Sequence, residues 1–238
     1  TFGKCVLSGK IYGRDDVLME ILQIPFRFDR EDFNKRIHIE LYEGMEDELE
    51  SVLKKALPFI KPKAIYLECS IEKNEDKSVD LLDQNFSDKN LLAKLDGIQR
   101  VFPYITTCGN ELESLSTGEM LEEFWFNSLK QMSMDQAFHY FREHIRKKYK
   151  MDKLYSINPG SNSCGDGWDL RDQKKLFSLF PNVENDLGVT LTKSMLMFPN
   201  KTISGFLFES EIEFITCREC DNIDCSNRKM IHEGAICS

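Results

Sequence analysis

ELYEGMEDELESVLKKALPFIKPKAIYLECSIE, residues 40–72, contains the change of period that decides the fold class. In its first part Leu41, Met45, Leu49, Val52, Leu53 and Leu57 recur at the three- and four-residue spacing of one helix face. This predicts a helix over about residues 40–60, ended by Lys61-Pro62, because the residue before a proline is pushed out of the helical region. From Ala64 to Glu72 the period falls to two. Ile65, Leu67, Cys69 and Ile71 alternate with Tyr66, Glu68, Ser70 and Glu72, the pattern of a half-buried strand.

Working outward, Leu18, Ile21, Leu22 and Ile24 suggest a short helix stopped by Pro25, and residues 1–30 are otherwise hard to read. The acidic stretch from Glu75 to Asp83 reads as a loop. Ser87-Asp88-Lys89-Asn90 opens a short helix through Leu95, closed by Gly97. Val101 to Thr107 is a second strand, placed at an edge or made irregular by Pro103. Met120–Met132 and Met134–Tyr149 are helical, and the capping-box spacing of Ser133 and Gln136 leaves one bent helix or two. Leu154–Ile157 is a short strand, Asp169–Phe180 a helix, and Val189–Met197 and Thr202–Phe208 are strands joined by the turn Phe198-Pro199-Asn200-Lys201. Strands and helices are interspersed without a regular βαβ period or a linker. The fold class expected is α+β, one domain over residues 1–212, followed by a Cys-rich tail at 213–238.

The 238-residue chain has a net charge of −9 and a pI near 5.1, which argues against nucleic acid as a partner, since phosphate contacts need clustered Lys and Arg. Its longest basic run, Arg146-Lys147-Lys148-Tyr149-Lys150, reads as a solvated helix end. No stretch reaches the roughly 18–20 apolar residues of a membrane span, so no membrane association is expected. No basic-then-apolar leader is visible, which makes a reducing cytoplasm the expected location.

Two constellations carry chemistry. The loop Asn158-Pro159-Gly160-Ser161-Asn162-Ser163-Cys164-Gly165-Asp166-Gly167 puts three glycines and a proline between a strand and a helix. Such a backbone can approach a ligand closely, and it equally serves a sharp reversal. Its glycine spacing is neither a phosphate loop nor a dinucleotide fingerprint. The tail contains Cys217, Cys220 and Cys225 as C-x2-C-x4-C, with Cys237 further on. A C-x2-C turn converges two thiolates on one ion, as zinc and iron–sulfur sites require. The third cysteine can join them, with Cys237 as fourth ligand and His232 a weaker candidate. Free thiols and a reversible Cys217–Cys220 disulfide are the alternatives. His38, His139, His144 and His232 form no H-x3-H or HExxH pattern, and His139 and His144, five apart on a helix, read as structural or exposed. Glu111 and Glu113 read as helix N-terminal carboxylates. No nucleophile motif appears, and no catalytic residue is assigned.

In order along residues 40–230, several segments resemble the activation domain of cobalamin-dependent methionine synthase, in particular its stand-alone relatives. They are Lys61-Pro62-Lys63-Ala64-Ile65-Tyr66, Tyr104-Ile105-Thr106-Thr107-Cys108-Gly109-Asn110-Glu111-Leu112-Glu113, Asn158-Pro159-Gly160-Ser161 and Gly167-Trp168-Asp169-Leu170-Arg171-Asp172-Gln173. Leu187-Gly188-Val189-Thr190-Leu191-Thr192-Lys193-Ser194 and Met197-Phe198-Pro199-Asn200-Lys201-Thr202-Ile203-Ser204-Gly205 follow. The resemblance implies a twisted antiparallel sheet flanked by helices. It also implies docking on a corrinoid-binding domain, S-adenosylmethionine as methyl donor and an electron-transfer protein of the flavodoxin type. The family's donor loop, Arg-x-Ala/Ser-Pro-Gly-Tyr, aligns with Ser156-Ile157-Asn158-Pro159-Gly160-Ser161. Pro159 and Gly160 match; Ser156 replaces the arginine and Ser161 the tyrosine, which removes a bidentate cation and an aromatic platform.

The resulting expectation is an accessory protein of a corrinoid methyltransferase system that docks on the cobalamin-carrying component and supports reductive reactivation of its cobalt. Asn158, Pro159, Gly160 and Ser161 are its candidate ligand residues, and Cys217, Cys220, Cys225 and Cys237 would hold an iron–sulfur cluster or zinc. The alternatives are a non-catalytic corrinoid- or protein-binding module with a structural metal, and S-adenosylmethionine-dependent methylation of cobalamin.

Overall fold

The computed structural model describes residues 7–11 (as backbone), 18–115, 118–160 and 167–211. In chain order the described elements begin with β1 (Leu7–Ile11), β2 (Leu18–Gln23), α1 (Arg30–Ile37), α2 (Glu46–Ala56), β3 (Lys63–Leu67) and β4 (Cys69–Ser70). Next come β5 (Glu72–Lys73), β6 (Val79–Leu81), β7 (Gln84–Phe86), α3 (Lys89–Lys94), β8 (Arg100–Thr107), α4 (Met120–Tyr149) and β9 (Leu154–Ile157). Helices α5 (Gln173–Ser178) and α6 (Val183–Leu187) precede β10 (Thr190–Leu191), β11 (Met197–Phe198) and β12 (Thr202–Glu209). The main sheet runs β1-β2-β3-β8-β12-β9, antiparallel throughout, with β4 also pairing β8. It is a mixed helix and antiparallel-sheet domain, as expected.

Both faces of the sheet are covered. On one, Ala64, Tyr66, Phe102, Tyr104 and Leu207 meet Ala137, Phe141 and Ile145 of α4. On the other, Ile65, Leu67, Ile105, Phe206 and Phe208 meet Trp168, Leu176, Leu187, Phe86 and Leu91. A third apolar cluster joins α1 and α2 to the first half of α4 through Phe33, Leu49, Val52, Leu53, Trp125, Phe126 and Leu129. Burying each such side chain is worth roughly 1.5–3 kcal/mol.

Double coverage explains where the local pattern misleads. Residues 18–23 form a strand rather than a helix; four consecutive residues, Met19–Leu22, are buried between β1 and β3, so no alternation survives. For the same reason β3 is buried along both faces rather than half-buried, and it ends at Leu67. Strand β8 lies in the middle of the sheet despite Pro103. Its ladder with β3 stops at Tyr66↔Tyr104 and resumes with β4 at Cys69↔Val101, so the gap falls opposite the residue that has no N–H to donate.

Other boundaries shift as well. The helix expected over residues 40–60 is reduced to α2, since Gly44 at φ +85 separates it from a one-turn 3-10 segment at Ile39–Leu41. Within the acidic stretch 75–83, Val79–Leu81 pairs into a small sheet with β5 and β7. Residues 120–149 make one continuous helix, and Ser133 is buried in it rather than capping a second one. Of residues 189–197 only Thr190, Leu191 and Met197 pair, in a hairpin completed by Phe198, and α6, not expected from the sequence, fills the stretch before it.

Candidate functional site

One rung of the sheet organises the candidate site. Glu20 on β2, Tyr66 on β3, Tyr104 on β8 and Gly205 on β12 are successive cross-strand partners. Antiparallel partners share a face, so all four lie on the side covered by α4. The register of β9 against β12 ends at Ile157↔Phe206, and one further step sets Asn158 beside Gly205.

Gly205 leaves the space that Asn158 uses. A Cβ there would stand 2.3 Å from the Ile157 carbonyl oxygen and 2.6 Å from Asn158 Nδ2. Across this gap Asn158 Nδ2 donates to the Tyr104 hydroxyl at 2.8 Å and to the Ser204 carbonyl at 2.7 Å. Burial raises the Tyr104 pKa, and the contacts from Asn158, Ser156 and Arg142 only partly oppose it, so the phenol stays neutral. Arg142 on α4 closes the same corner: its Nη2 donates to the Leu154 carbonyl at 2.6 Å, and its guanidinium lies 5.9 Å from the Phe138 ring centroid.

Beyond Asn158 the loop is pinned on both legs. Gly160 has φ +76, where a side chain is strained, and its N–H donates to the Trp168 carbonyl at 2.8 Å. On the returning leg, Asn90 Nδ2 donates to the Gly167 carbonyl at 3.0 Å, and Asp88, the N-cap of α3, accepts from the Asp169 N–H at 3.3 Å. Trp168 is buried against Phe206 and Phe86 and donates from Nε1 to Asp172 at 3.0 Å. Of the four loop residues singled out in the sequence, Asn158 is an internal clamp, Pro159 and Gly160 form the outward turn, and Ser161 lies outside the described residues.

At the other end of the rung is a cluster that the sequence reading missed. The Tyr66 hydroxyl donates to Glu20 Oε2 at 2.8 Å and accepts from Lys148 Nζ at 3.1 Å, and Lys148 also pairs with the other Glu20 oxygen. His144 Nε2 lies 3.3 Å from the same hydroxyl and 3.7 Å from Glu20 Oε2. A tyrosine hydroxyl has one proton, here spent on Glu20, so His144 contributes its Nε2–H. Burial would raise the Glu20 pKa, but hydrogen bonds from Lys148 and Tyr66 outweigh it and leave the carboxyl below its ordinary value. Burial lowers the pKa of His144, with Glu20 opposing only in part. His144 and Lys148 are four apart on α4, a spacing that points both to one side of a helix. That spacing was the one signal available, and it means little until Glu20 and Tyr66 are known to face it.

Cys69 and Cys108 are buried, and burial pushes both thiols up to about 12, so neither supplies a thiolate at neutral pH. Among the described residues no three His, Cys, Asp or Glu side chains are grouped to hold a metal. Cys217, Cys220, Cys225, Cys237 and His232 lie outside the described residues. No helix among those residues is long and apolar enough to cross a membrane.

No protein-family model matches the sequence, and no curated protein matches it. Among solved structures the fold is similar to that of the MetH reactivation domain bound to AdoHcy, with a TM-score of 0.56 over 80% of this chain and 72% of that one, at 13% sequence identity. At that identity the likeness establishes a shared fold.

Proposed function

We propose that this protein is an accessory component of a corrinoid-dependent methyltransferase system, docking on the cobalamin-carrying component and supporting reductive reactivation of its cobalt. The observation that carries the reading is the fold shared with the MetH reactivation domain over 80% of the chain. The test mixes the full chain with a methyltransferase corrinoid protein held as cob(II)alamin, a reductant and a methyl donor. Complex formation is followed by sedimentation and the cob(II)alamin signal by electron paramagnetic resonance. A complex and faster loss of the signal are expected; with neither, the reading fails.

The loop supports a protein-docking role over tight S-adenosylmethionine binding. The aligned arginine and tyrosine are replaced by Ser156 and Ser161, and the Asn158 amide N–H groups are spent on Tyr104 and Ser204. Losing one charge-assisted and one aromatic contact costs roughly 2–5 kcal/mol. Calorimetry should therefore detect weak or no binding, and a micromolar dissociation constant would contradict this part of the proposal.

Cys217, Cys220 and Cys225, with Cys237 as fourth ligand, are proposed to hold zinc or an iron–sulfur cluster, because close thiolates repel one another unless a cation neutralises them. A cluster would supply low-potential electrons and zinc would be structural. Metal analysis and a visible spectrum of anaerobically purified protein decide between them. Cys217→Ser, Cys220→Ser and Cys225→Ser should each lose the metal, and full retention in all three would remove the site.

A further inference from the structure

The chain's negative charge is not spread over its surface. Residues 38–53 and 111–129 contain eleven Asp and Glu and no Lys or Arg, whereas the other 29 acidic residues are mixed with all 31 basic ones. The two segments meet in space, since α2 packs on the first half of α4 through Leu49, Val52, Leu53, Trp125 and Phe126. Among these carboxylates Glu50 pairs with Arg30, Glu111 with Lys63 and Glu113 with Lys130, and Glu40 lies 3.3 Å from His38 Nδ1. By sequence the two segments have a formal charge of −11, against −9 for the whole chain.

An apolar surface is set within it. Met120 is 88% exposed and Phe124 41%, one helical turn apart on α4, and the Tyr42 ring lies 6.4 Å from that of Phe124. Leu41, beside Tyr42, is 74% exposed. Glu40 and Glu43 flank the Leu41-Tyr42 pair in sequence, and Glu119 and Glu123 flank Met120 and Phe124. Exposed apolar groups rimmed by charge mark an interaction surface.

We infer that this surface docks a partner protein through a basic amphipathic segment, its apolar side on Met120, Phe124 and Tyr42 and its Lys and Arg on the surrounding carboxylates. Sign selects the occupant. Carboxylates repel nucleic acid and anionic lipid alike, and residues 212–238 of this chain carry five acidic against three basic residues. The basic end of α4 in a second copy is less suited, because Arg146 and Lys148 are already paired with Glu143 and Glu20. The inference does not depend on the corrinoid reading.

The test measures fluorescence anisotropy of labelled helical peptides of about 18 residues, five helical turns, on the full chain. A Leu/Lys amphipathic peptide should bind at least about tenfold more tightly than a Leu/Glu or a Gly/Lys peptide, with affinity falling as salt rises. Met120→Ser with Phe124→Ser keeps the charge and removes the apolar patch; Glu40→Lys with Glu43→Lys does the reverse at exposed positions outside α1 and α2. Each pair should weaken the Leu/Lys peptide at least about tenfold. Leu196→Ser, an exposed apolar residue on the β10–β11 hairpin, should change nothing. Unchanged binding in both paired variants overturns the proposal, as does equal binding of the Gly/Lys peptide. Concentration-dependent dimerisation of the wild-type chain that is lost with Met120→Ser and Phe124→Ser would instead assign the surface to a second copy, and would overturn it too.

Discussion

Tyr66 and Tyr104 are neighbours on one rung of the sheet, fully buried, and both pack on Phe141, yet their hydroxyls point to opposite solutions of the same problem. Tyr66 sits among ions, with Glu20, Lys148 and His144 around it. Tyr104 hydrogen-bonds to neutral groups, Asn158 and Ser156, with the Arg142 guanidinium nearby. A buried hydroxyl must be paired in either case. The neutral clamp loses one hydrogen bond when cut, while the ionic cluster leaves a charge behind. The end of the sheet next to the candidate loop is thus the more tolerant one, and the end under the last turns of α4 is the more brittle.

The sharpest way to break this contrast is Glu20→Gln, which leaves Lys148 the Tyr66 hydroxyl but takes away its carboxylate. Because Lys148 is about a third exposed and can turn to water, the loss belongs at the lower end for a broken buried pair, about 3 kcal/mol by urea unfolding. A loss under 1 kcal/mol would mean the cluster is not closed in solution. Next in size, Gly205→Ala puts a Cβ against the Ile157 carbonyl and forces β9 outward, costing about 2 kcal/mol. Hydrogen exchange should quicken at residues 154–160 and not at residues 63–67; uniform quickening would contradict a local role for the glycine.

Tyr104→Phe should cost only about 1 kcal/mol, since Asn158 keeps the Ser204 carbonyl. A cost equal to that of Glu20→Gln would erase the distinction between the two ends. The smallest effect concerns pH. His144 is held below its ordinary value of 6.5 and Glu20 below 4.5. For both, the unfolded chain binds protons first as pH falls, so stability present at pH 7 is lost below about 6.5 through His144 and further below about 4.5 through Glu20. His144→Asn should flatten the upper part of that fall and leave the lower part intact. An unaltered profile would take His144 out of the cluster.

Much of this was legible along the chain. Alternation located β3, the residues before Gly97 located α3, and Leu154–Ile157 was read with its final bounds. These segments carry their own signal, a period or a cap. What could not be read is what depends on the second face. Leu18, Ile21, Leu22 and Ile24 look helical by their spacing, and only a sheet covered on both sides buries Met19–Leu22 in succession as a strand. Pro103 argues for an edge until β3 and β4 are seen to interrupt their ladder at that point.

The sequence by itself determined the fold class, the Asn158-Pro159-Gly160 turn, the cysteine spacing of the tail and the concentration of acid in residues 38–53 and 111–129. All are local, set by neighbours within a few positions. The tertiary structure alone decided that Glu20, Tyr66, Tyr104 and Gly205 share a rung, that Asn158 turns inward, and that two acidic segments separated by more than fifty residues enclose one apolar surface. Register and packing bring these groups together, and a pairing slip of one residue would send each side chain to the opposite face.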